Sequence, residues 1–259
     1  TLPPDLTTNE AREACRALKG SLLRREVFAL DGTAKADHPY RVSEQDYALR
    51  RLQKSGENRH AVFLVHPRET IEYHYERNPA DPRVSHALTL EVDDFGNVLN
   101  HAAVGYGRQQ SDPDLPQQAD RDKQTATLVT YTENDVTNPI AEDDAYRAPL
   151  LCESRTFQLL NVKPASSPSG ITVFGFEELA GLIKQANNGQ HDIPYEDVDG
   201  TGVNGSEPFR RLLEHTCTVF RDNTLTGLLP LGQLQSRALP GESLTLALTP
   251  GLLSQVFVT

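Results

Sequence analysis

Apolar and polar residues alternate at every second position through much of the stretch 60–108. The alternation is clearest within 69–77, where Ile71, Tyr73 and Tyr75 alternate with Glu72, His74 and Glu76. Successive side chains of a β-strand point to opposite faces of the sheet, so this period of two predicts half-buried strands. The turn sequences Asn-Pro, Asp-Pro and Asp-Asp-Phe-Gly-Asn separate the runs. The stretch therefore predicts successive β-hairpins rather than an active site.

The same pattern predicts strands along most of the chain. The predicted strands are 22–30, 40–52, 61–66, 69–77, 88–93, 98–106, 124–136 and 146–160. Pro67, Pro79 and Pro82 are expected between strands, where a missing N–H group does no harm. Polar segments at 109–123 and 164–170 are expected to be loops.

Two segments carry helical signals. Residues 8–19 predict a short helix that Thr8 caps and Gly20 ends. The run FEELAGLIKQANN at 176–188 predicts a longer helix that stops before Gly189. The fold class predicted from all these elements is mainly β: an extended antiparallel hairpin sheet with one or two short helices.

The chain reads as one region. It contains no Met, which favours a segment cut from a longer protein over a complete gene product. We predict a single region over 1–259, with a β-hairpin part at 20–163 and a mixed helix and strand part at 164–259, which includes a mixed segment at 207–220.

The net charge of −11 is concentrated in two segments, 111–144 and 187–207. An acidic chain lacks the basic surface that nucleic acid requires, so we predict no nucleic-acid partner. No apolar run approaches the roughly 20 residues that span a bilayer, so we predict no direct membrane insertion. Three widely spaced cysteines give neither a disulfide framework nor a zinc tetrad, and buried or idle thiols are expected.

Metal-ligating residue types occur in two places. Glu72, His74 and Glu76 share one predicted strand face and could join His66, His86 or His101, although a solvated face is the favoured interpretation. Oxygens of Asp197, Asp199 and Asn204 could wrap calcium in a glycine-rich loop. An EF-hand counted from Asp197 needs Glu at position 208, where Pro208 stands. We predict no metal and no cofactor. If the chain did bind an ion, Asp197, Asp199 and Asn204 would be the candidate calcium ligands.

Catalytic motifs are not evident in the sequence. Asp94-Phe95-Gly96 matches a kinase motif in letters only, and a hairpin turn with Gly at positive φ explains it. Gly105-Tyr106-Gly107 lacks the third glycine of a nucleotide fingerprint. No nucleophile elbow or carboxylate pair stands out, so we predict that the chain has no catalytic residues.

Whole phrases of the chain resemble one family. They include LRREVFALDG at 23–32, RHAVFLVHPRETIEYHYER at 59–77 and IPYEDVDGTG at 193–202. The other matching runs are 38–50, 88–107, 128–138, 144–155 and 224–257. In this order they are similar to the middle/C-terminal region of the B component (TcdB-like) of bacterial insecticidal Tc toxin complexes. Tyr73-His-Tyr-Glu-Arg also resembles a weak tyrosine-aspartate repeat of the RHS type.

The resemblance implies a structural role. In that family the region is similar to part of the wall of a hollow shell, which the B and C components build around a toxic polypeptide. The implied partners are the rest of the B component with its β-propeller, the C component, the enclosed polypeptide and, indirectly, the pore-forming A component. The implied location is secreted, and no catalysis is implied for this segment.

Two other functions remain open from the residues. A carbohydrate- or receptor-binding β module of a secreted virulence protein would present aromatic side chains near Tyr40, Tyr47 or Tyr106. A metal-dependent hydrolase would draw ligands from the region 60–101.

Overall fold

A computed structural model describes residues 2–165, 171–198 and 205–257 of the chain. These residues form twelve strands and four short helices, which confirms the mainly β prediction. The helices are α1 (Thr8–Ala17), α2 (Gln118–Thr125), α3 (Phe176–Ala186) and α4 (Pro250–Val256). None of the described helices has the length and apolar character needed to span a bilayer.

Ten of the strands form one large, mostly antiparallel sheet in the order β1-β2-β3-β4-β5-β6-β9-β11-β10, with β12 also paired to β11. Strands β7 and β8 form a separate pair, and β10 runs parallel to β11. The strands are β1 (Arg24–Val27), β2 (Arg41–Gln53), β3 (Val62–His74), β4 (Arg83–Val92), β5 (Val98–Gly105), β6 (Leu128–Val136), β7 (Ile140–Glu142), β8 (Ala145–Arg147), β9 (Leu151–Leu160), β10 (Asp192–Ile193), β11 (Phe209–Arg221) and β12 (Leu239–Thr245).

The chain divides into two compact units. Unit 1 comprises Thr1–Thr89 and Ala103–Thr127, and unit 2 comprises Leu90–Ala102 and Leu128–Thr259. The unit boundaries therefore fall inside β4 and β5. The single region over 1–259, with its parts 20–163 and 164–259, stays a prediction.

Unit 1 shows the alternation that the sequence predicted. In β4, Val84, His86 and Leu88 are buried, whereas Ser85 and Ala87 between them are exposed. The inward positions of a half-buried strand are normally apolar. His86 is thus a histidine placed in a core position.

Unit 2 builds its core from strands and from α3. The buried residues of α3 are Leu179, Ile183 and Ala186, which lie on one helical face. Gly189, at φ 77°, follows the end of this helix, as predicted from the sequence. A second cluster joins Cys152, Phe220 and Leu234.

The turn at 93–97 also forms as predicted. Gly96 has φ 91°, a conformation that glycine adopts without strain. The Asp93 carboxylate accepts N–H bonds from Phe95 (2.9 Å) and Asn97 (2.8 Å). Asp94-Phe95-Gly96 is therefore part of a hairpin turn.

Pro67 lies inside a strand, which corrects the prediction that it separates 61–66 from 69–77. Strand β3 is continuous, and its Pro67 pairs with Tyr47 of β2 directly after a register shift between Asp46 and Tyr47. An irregularity in the ladder tolerates a residue that cannot donate a hydrogen bond.

The prediction that Glu72, His74 and Glu76 share one strand face is wrong for Glu76. The strand stops at His74, and Glu76 and Arg77 adopt positive φ values of 49° and 64°. The N–H groups of Tyr75 and Glu76 both donate to the Tyr40 carbonyl oxygen, at 2.9 and 3.0 Å. The chain turns there, so Glu76 does not continue the row of Glu72 and His74.

The segment 109–123 is not entirely a loop, because α2 begins within it. This helix has no buried residue, which explains why its sequence carries no apolar period. A Cβ on Gly107 would lie 2.0 Å from the Thr125 carbonyl oxygen, so this approach of the backbone requires glycine. The strand predicted from 124 begins only at Leu128.

Two further boundaries differ from the prediction. The strand predicted over 146–160 is divided between β8 and β9, which belong to different sheets. Helix α1 is capped by Thr7 rather than Thr8. The Glu10 N–H donates to Thr7 Oγ1 (3.3 Å), and the Thr7 N–H donates to Glu10 Oε2 (3.0 Å). This reciprocal pair is a capping box.

Candidate functional site

The candidate site is a polar cluster on one sheet face of unit 2. Strand β9 lies between β6 and β11, and its Arg155 pairs with Glu133 of β6 and with His215 of β11. Two residues earlier on β9, Glu153 pairs with Cys217. Residues two apart on a strand share a face, so these side chains converge.

At one end of this face, a hydrogen-bonded network surrounds Glu133. Its Oε1 accepts from Asn187 Nδ2 (2.8 Å), the Tyr131 hydroxyl (3.1 Å) and Arg210 Nη1 (3.3 Å). The Arg210 guanidinium also lies 4.4 Å from the centre of the Phe157 ring. Burial, with the negative charge of Glu133 beside it, raises the pKa of Tyr131 well above its usual value.

At the other end, three metal-ligating side chains meet. Glu153 Oε1 lies 2.7 Å from His215 Nε2, and Cys217 Sγ lies 3.3 Å from the same nitrogen. One ligand atom from each residue lies within 4.8 Å of the other two. Burial, reinforced by the charge of Glu153, raises the pKa of the Cys217 thiol.

Arg155 separates the two ends. Its Nη2 lies 3.1 Å from Asp135 Oδ2 and 3.5 Å from Glu133 Oε2, whereas its Nε is 3.9 Å from Glu153 Oε1. The guanidinium is therefore held mainly by Asp135 and Glu133. Beside Arg155, a cleft of about 490 Å³ opens, and its polar lining includes Asn100, Tyr131, Glu133 and Asn187.

The structure does not gather the histidines of the region 60–101 into a ligand set. His74 Nε2 lies 3.6 Å from Glu72 Oε2, His66 Nδ1 faces its neighbour's carbonyl oxygen, and His60 Nδ1 lies 2.6 Å from Glu13. Burial lowers the pKa of His86 to about 4 and also lowers the pKa of His101. Within 2–165, 171–198 and 205–257, only Glu153, His215 and Cys217 form a group of three converging ligands.

The calcium candidate lies only partly in the described structure. Asp199 and Asn204 fall outside the described residues, and of the three only Asp197 is described. The neighbouring Glu196 accepts the N–H of Leu252 at 2.8 Å and the hydroxyl of Thr249. The calcium candidate stays a prediction.

The tyrosines considered for carbohydrate binding make contacts within unit 1. The Arg77 guanidinium lies 5.5 Å from the ring centre of Tyr40. The Tyr47 hydroxyl lies 2.6 Å from Gln45 Oε1, and the Tyr106 hydroxyl lies 3.1 Å from His86 Nδ1. No observation on these three described residues favours the binding-module alternative, which stays a prediction.

Sequence reasoning missed the Glu153, His215 and Cys217 group. The spacing of His215 and Cys217 was visible as a His-x-Cys pair that would share a strand face. Glu153 joins them only through the pairing of β9 with β11, which brings together residues far apart in the sequence. No motif spacing encodes that pairing.

Solved structures of toxin complexes resemble this chain. The crystal structure of TcdB2-TccC3 matches with a TM-score of 0.69 and 25% sequence identity, over 98% of this chain and 11% of that chain. A Photorhabdus luminescens Tc holotoxin pore with a mutation in TccC3 matches with a TM-score of 0.66 and 26% identity, over 94% of this chain and 10% of that one. This chain thus spans about a tenth of those proteins. No curated protein sequence matches it.

A family model matches more directly. The model of the insecticide toxin TcdB middle/C-terminal region matches residues 13–149, which are more than half of the 259 residues. This match confirms the resemblance found in the sequence phrases. The chain belongs to the TcdB middle/C-terminal region family of insecticide toxins.

Proposed function

We propose that this chain is a structural segment of the shell of a Tc toxin B component, where it helps to encapsulate and deliver a toxic polypeptide. The observation that carries the proposal is the match of 98% of the chain to part of the crystal structure of TcdB2-TccC3. Family membership over 13–149 supports the same assignment.

The surface of the chain supports a role as part of a larger wall. Among the described residues, large exposed apolar side chains outnumber the buried apolar ones. Every residue of β1 is exposed, and Leu23, Phe28 and Leu30 flank it as further exposed apolar residues. A sheet edge of this kind is normally paired or covered. In the proposed assembly, the rest of the B component covers it.

The proposed partners follow from the same assignment. They are the remainder of the B component with its β-propeller, the C component, the enclosed toxic polypeptide and, indirectly, the pore-forming A component. The proposed location is secreted, as part of a bacterial toxin complex. RHS-type repeats are the proposed origin of the hairpin sheet.

A structural role also agrees with the chemistry of the candidate site. A nucleophilic triad needs a histidine that contacts the nucleophile with one ring nitrogen and the carboxylate with the other. In this chain, Glu153 and Cys217 both contact Nε2 of His215. We therefore propose no catalytic role for the segment.

A substitution at the exposed edge tests the proposal. The B component that contains this chain, carrying Val27→Arg in β1, would be co-expressed with the C component. Val27 is 43% exposed here and would be covered in the shell, so a buried charge should lower the yield of complex and expose the enclosed polypeptide to added protease. Size-exclusion chromatography and protease digestion measure both effects.

Phe95→Arg is the matched control, because Phe95 is 45% exposed but lies in a hairpin turn. This variant should assemble and protect the polypeptide as the parent protein does. Normal assembly and full protection with Val27→Arg would contradict burial of the β1 edge in a shell.

A further inference from the structure

Glu153, His215 and Cys217 are three metal-ligating side chains that the sheet of unit 2 holds close together. His215 and Cys217 lie two residues apart on β11 and therefore share a face of the sheet, and Glu153 is the cross-strand partner of Cys217 on β9. Two adjacent strands of unit 2 thus hold the three side chains, and the backbone fixes their relative positions. A site carried by strands is more precise than one carried by loops.

The ligand atoms are spaced nearly as a metal would require. A tetrahedral zinc site with Zn–S of about 2.3 Å and Zn–N and Zn–O of about 2.0 Å has N···O and S···N edges of about 3.3 and 3.5 Å. The observed separations are 2.7 Å for Glu153 Oε1 to His215 Nε2 and 3.3 Å for Cys217 Sγ to the same nitrogen. Lengthening these two separations by about 0.6 and 0.2 Å would open the group to an ion.

Hydrogen bonding alone cannot satisfy all three side chains of this group. His215 Nε2 can donate one hydrogen or accept one, yet it faces both a carboxylate oxygen and a sulfur. A single cation between the three atoms would bind a lone pair from each of them. Thiolate, imidazole and carboxylate are the three ligand types that zinc takes in proteins.

We propose that Glu153, His215 and Cys217 form a Zn²⁺ site, with Glu Oε1, His Nε2 and Cys Sγ as ligands and water in the fourth position. Cys217 releases its thiol proton to solvent when the S–Zn bond forms, so one proton is exchanged for the ion. The His215 side chain is 32% exposed, which leaves a path for the ion from solvent. The bound ion would link β9 to β11.

The surrounding charges permit this binding. The Arg155 Nε lies 3.9 Å from Glu153 Oε1, but the Nη2 of the same guanidinium is already paired with Asp135 and Glu133. Glu153 and the Cys217 thiolate carry two negative charges to the site. They therefore balance the charge of a divalent ion.

Binding of Zn²⁺ and Co²⁺ to the purified chain tests the proposal. After treatment with chelator and thiol reductant, the chain should bind about one Zn²⁺ in competition with a chromophoric chelator. Co²⁺ should give a thiolate-to-metal charge-transfer band, because Cys217 is a ligand. Cys217→Ser should abolish that band, and Cys217→Ser and His215→Gln should each weaken Zn²⁺ binding by at least about 100-fold, more than the loss of an outer-shell partner.

Two controls make the result decisive. Cys15→Ala removes the exposed thiol, the most accessible site for adventitious binding, and should leave the band and the affinity unchanged. Far-ultraviolet circular dichroism of each variant checks that the sheet is intact, and Glu153→Gln provides a third, nearly isosteric variant. Binding well below one ion per chain, or a charge-transfer band that follows Cys15 rather than Cys217, would overturn the proposal.

Discussion

Glu133 and Glu153 lie on the same sheet face of unit 2 and are buried to the same degree, with 18% and 17% of their side chains exposed. Their neighbours differ. Glu133 is surrounded by donors, namely the amide of Asn187, the hydroxyl of Tyr131 and the guanidinium of Arg210. Glu153 has His215 as its partner, and the same ring nitrogen also contacts Cys217.

The comparison shows that burial alone does not decide what a carboxylate does. A carboxylate among N–H and O–H donors is satisfied by hydrogen bonds and fixes the local structure. A carboxylate among other Lewis bases shares too few protons with them, so a cation can complete the group. We therefore expect the Glu133 network to control stability in the absence of metal, and the Glu153 group to control the response to metal.

The largest expected effect is that of Arg210→Ala. This change removes the guanidinium that donates to Glu133 Oε1 and to Asn187 Oδ1 and that covers Phe157. Loss of one partner of a buried charged pair should lower the free energy of unfolding by about 3 kcal/mol. Urea denaturation of the metal-free chain measures the change.

Arg83→Ala is the control, because Arg83 pairs with Glu76 where both side chains are more than half exposed. Exposed ion pairs contribute about 0–1 kcal/mol, so this variant should be nearly as stable as the parent. Equal losses from Arg210→Ala and Arg83→Ala would show that the Glu133 network does not stabilise unit 2.

The sequence predicted features that depend on neighbouring residues better than features that depend on residues far apart in the chain. Periodicity is local, so it predicted the second half of β4, the turn at Gly96 and helix α3. It missed α2, which has no apolar face, and it separated β3 at Pro67, where an irregularity in the neighbouring strand accommodates the residue. The candidate site depends on the pairing of β9 with β11, and sequence spacing carries no information about that pairing.

The buried His86 of unit 1 should make the stability of the chain depend on pH. In the described part of the chain, His86 is buried outside any group of metal-ligating side chains. Its Nδ1 lies 3.1 Å from the Tyr106 hydroxyl and its Nε2 lies 3.2 Å from Glu69 Oε1. Burial lowers its pKa from 6.5 to about 4, so the unfolded chain binds a proton more readily than the folded chain. Stability is therefore complete above pH 6.5 and falls as the pH decreases toward 4.

We expect a loss of about 2–3 kcal/mol across this pH range, because protonation of His86 must overcome the desolvation that lowers its pKa. Urea denaturation at several pH values measures it. His86→Gln should flatten the profile between pH 6.5 and 4. The same change at His60, which is 64% exposed in its side chain, should leave the slope unaltered, and an unchanged slope in His86→Gln would refute the assignment.

The smallest expected effect concerns Glu10, a carboxylate of unit 1 held almost entirely by donors. Hydrogen bonds from the backbone N–H groups of Thr7 and Ser55 lower its pKa to about 2, so its contribution to stability is present above pH 4.5 and lost as the pH falls toward 2.

Thr7→Ala removes the helix cap and should cost about 1 kcal/mol at neutral pH, as measured by thermal denaturation. Thr8→Ala, one residue along and also exposed, should cost much less because Thr7, not Thr8, accepts the Glu10 N–H. Neither variant should change Zn²⁺ binding, since neither threonine contributes to the group of Glu153, His215 and Cys217. Equal losses from the two substitutions would place the cap at neither threonine.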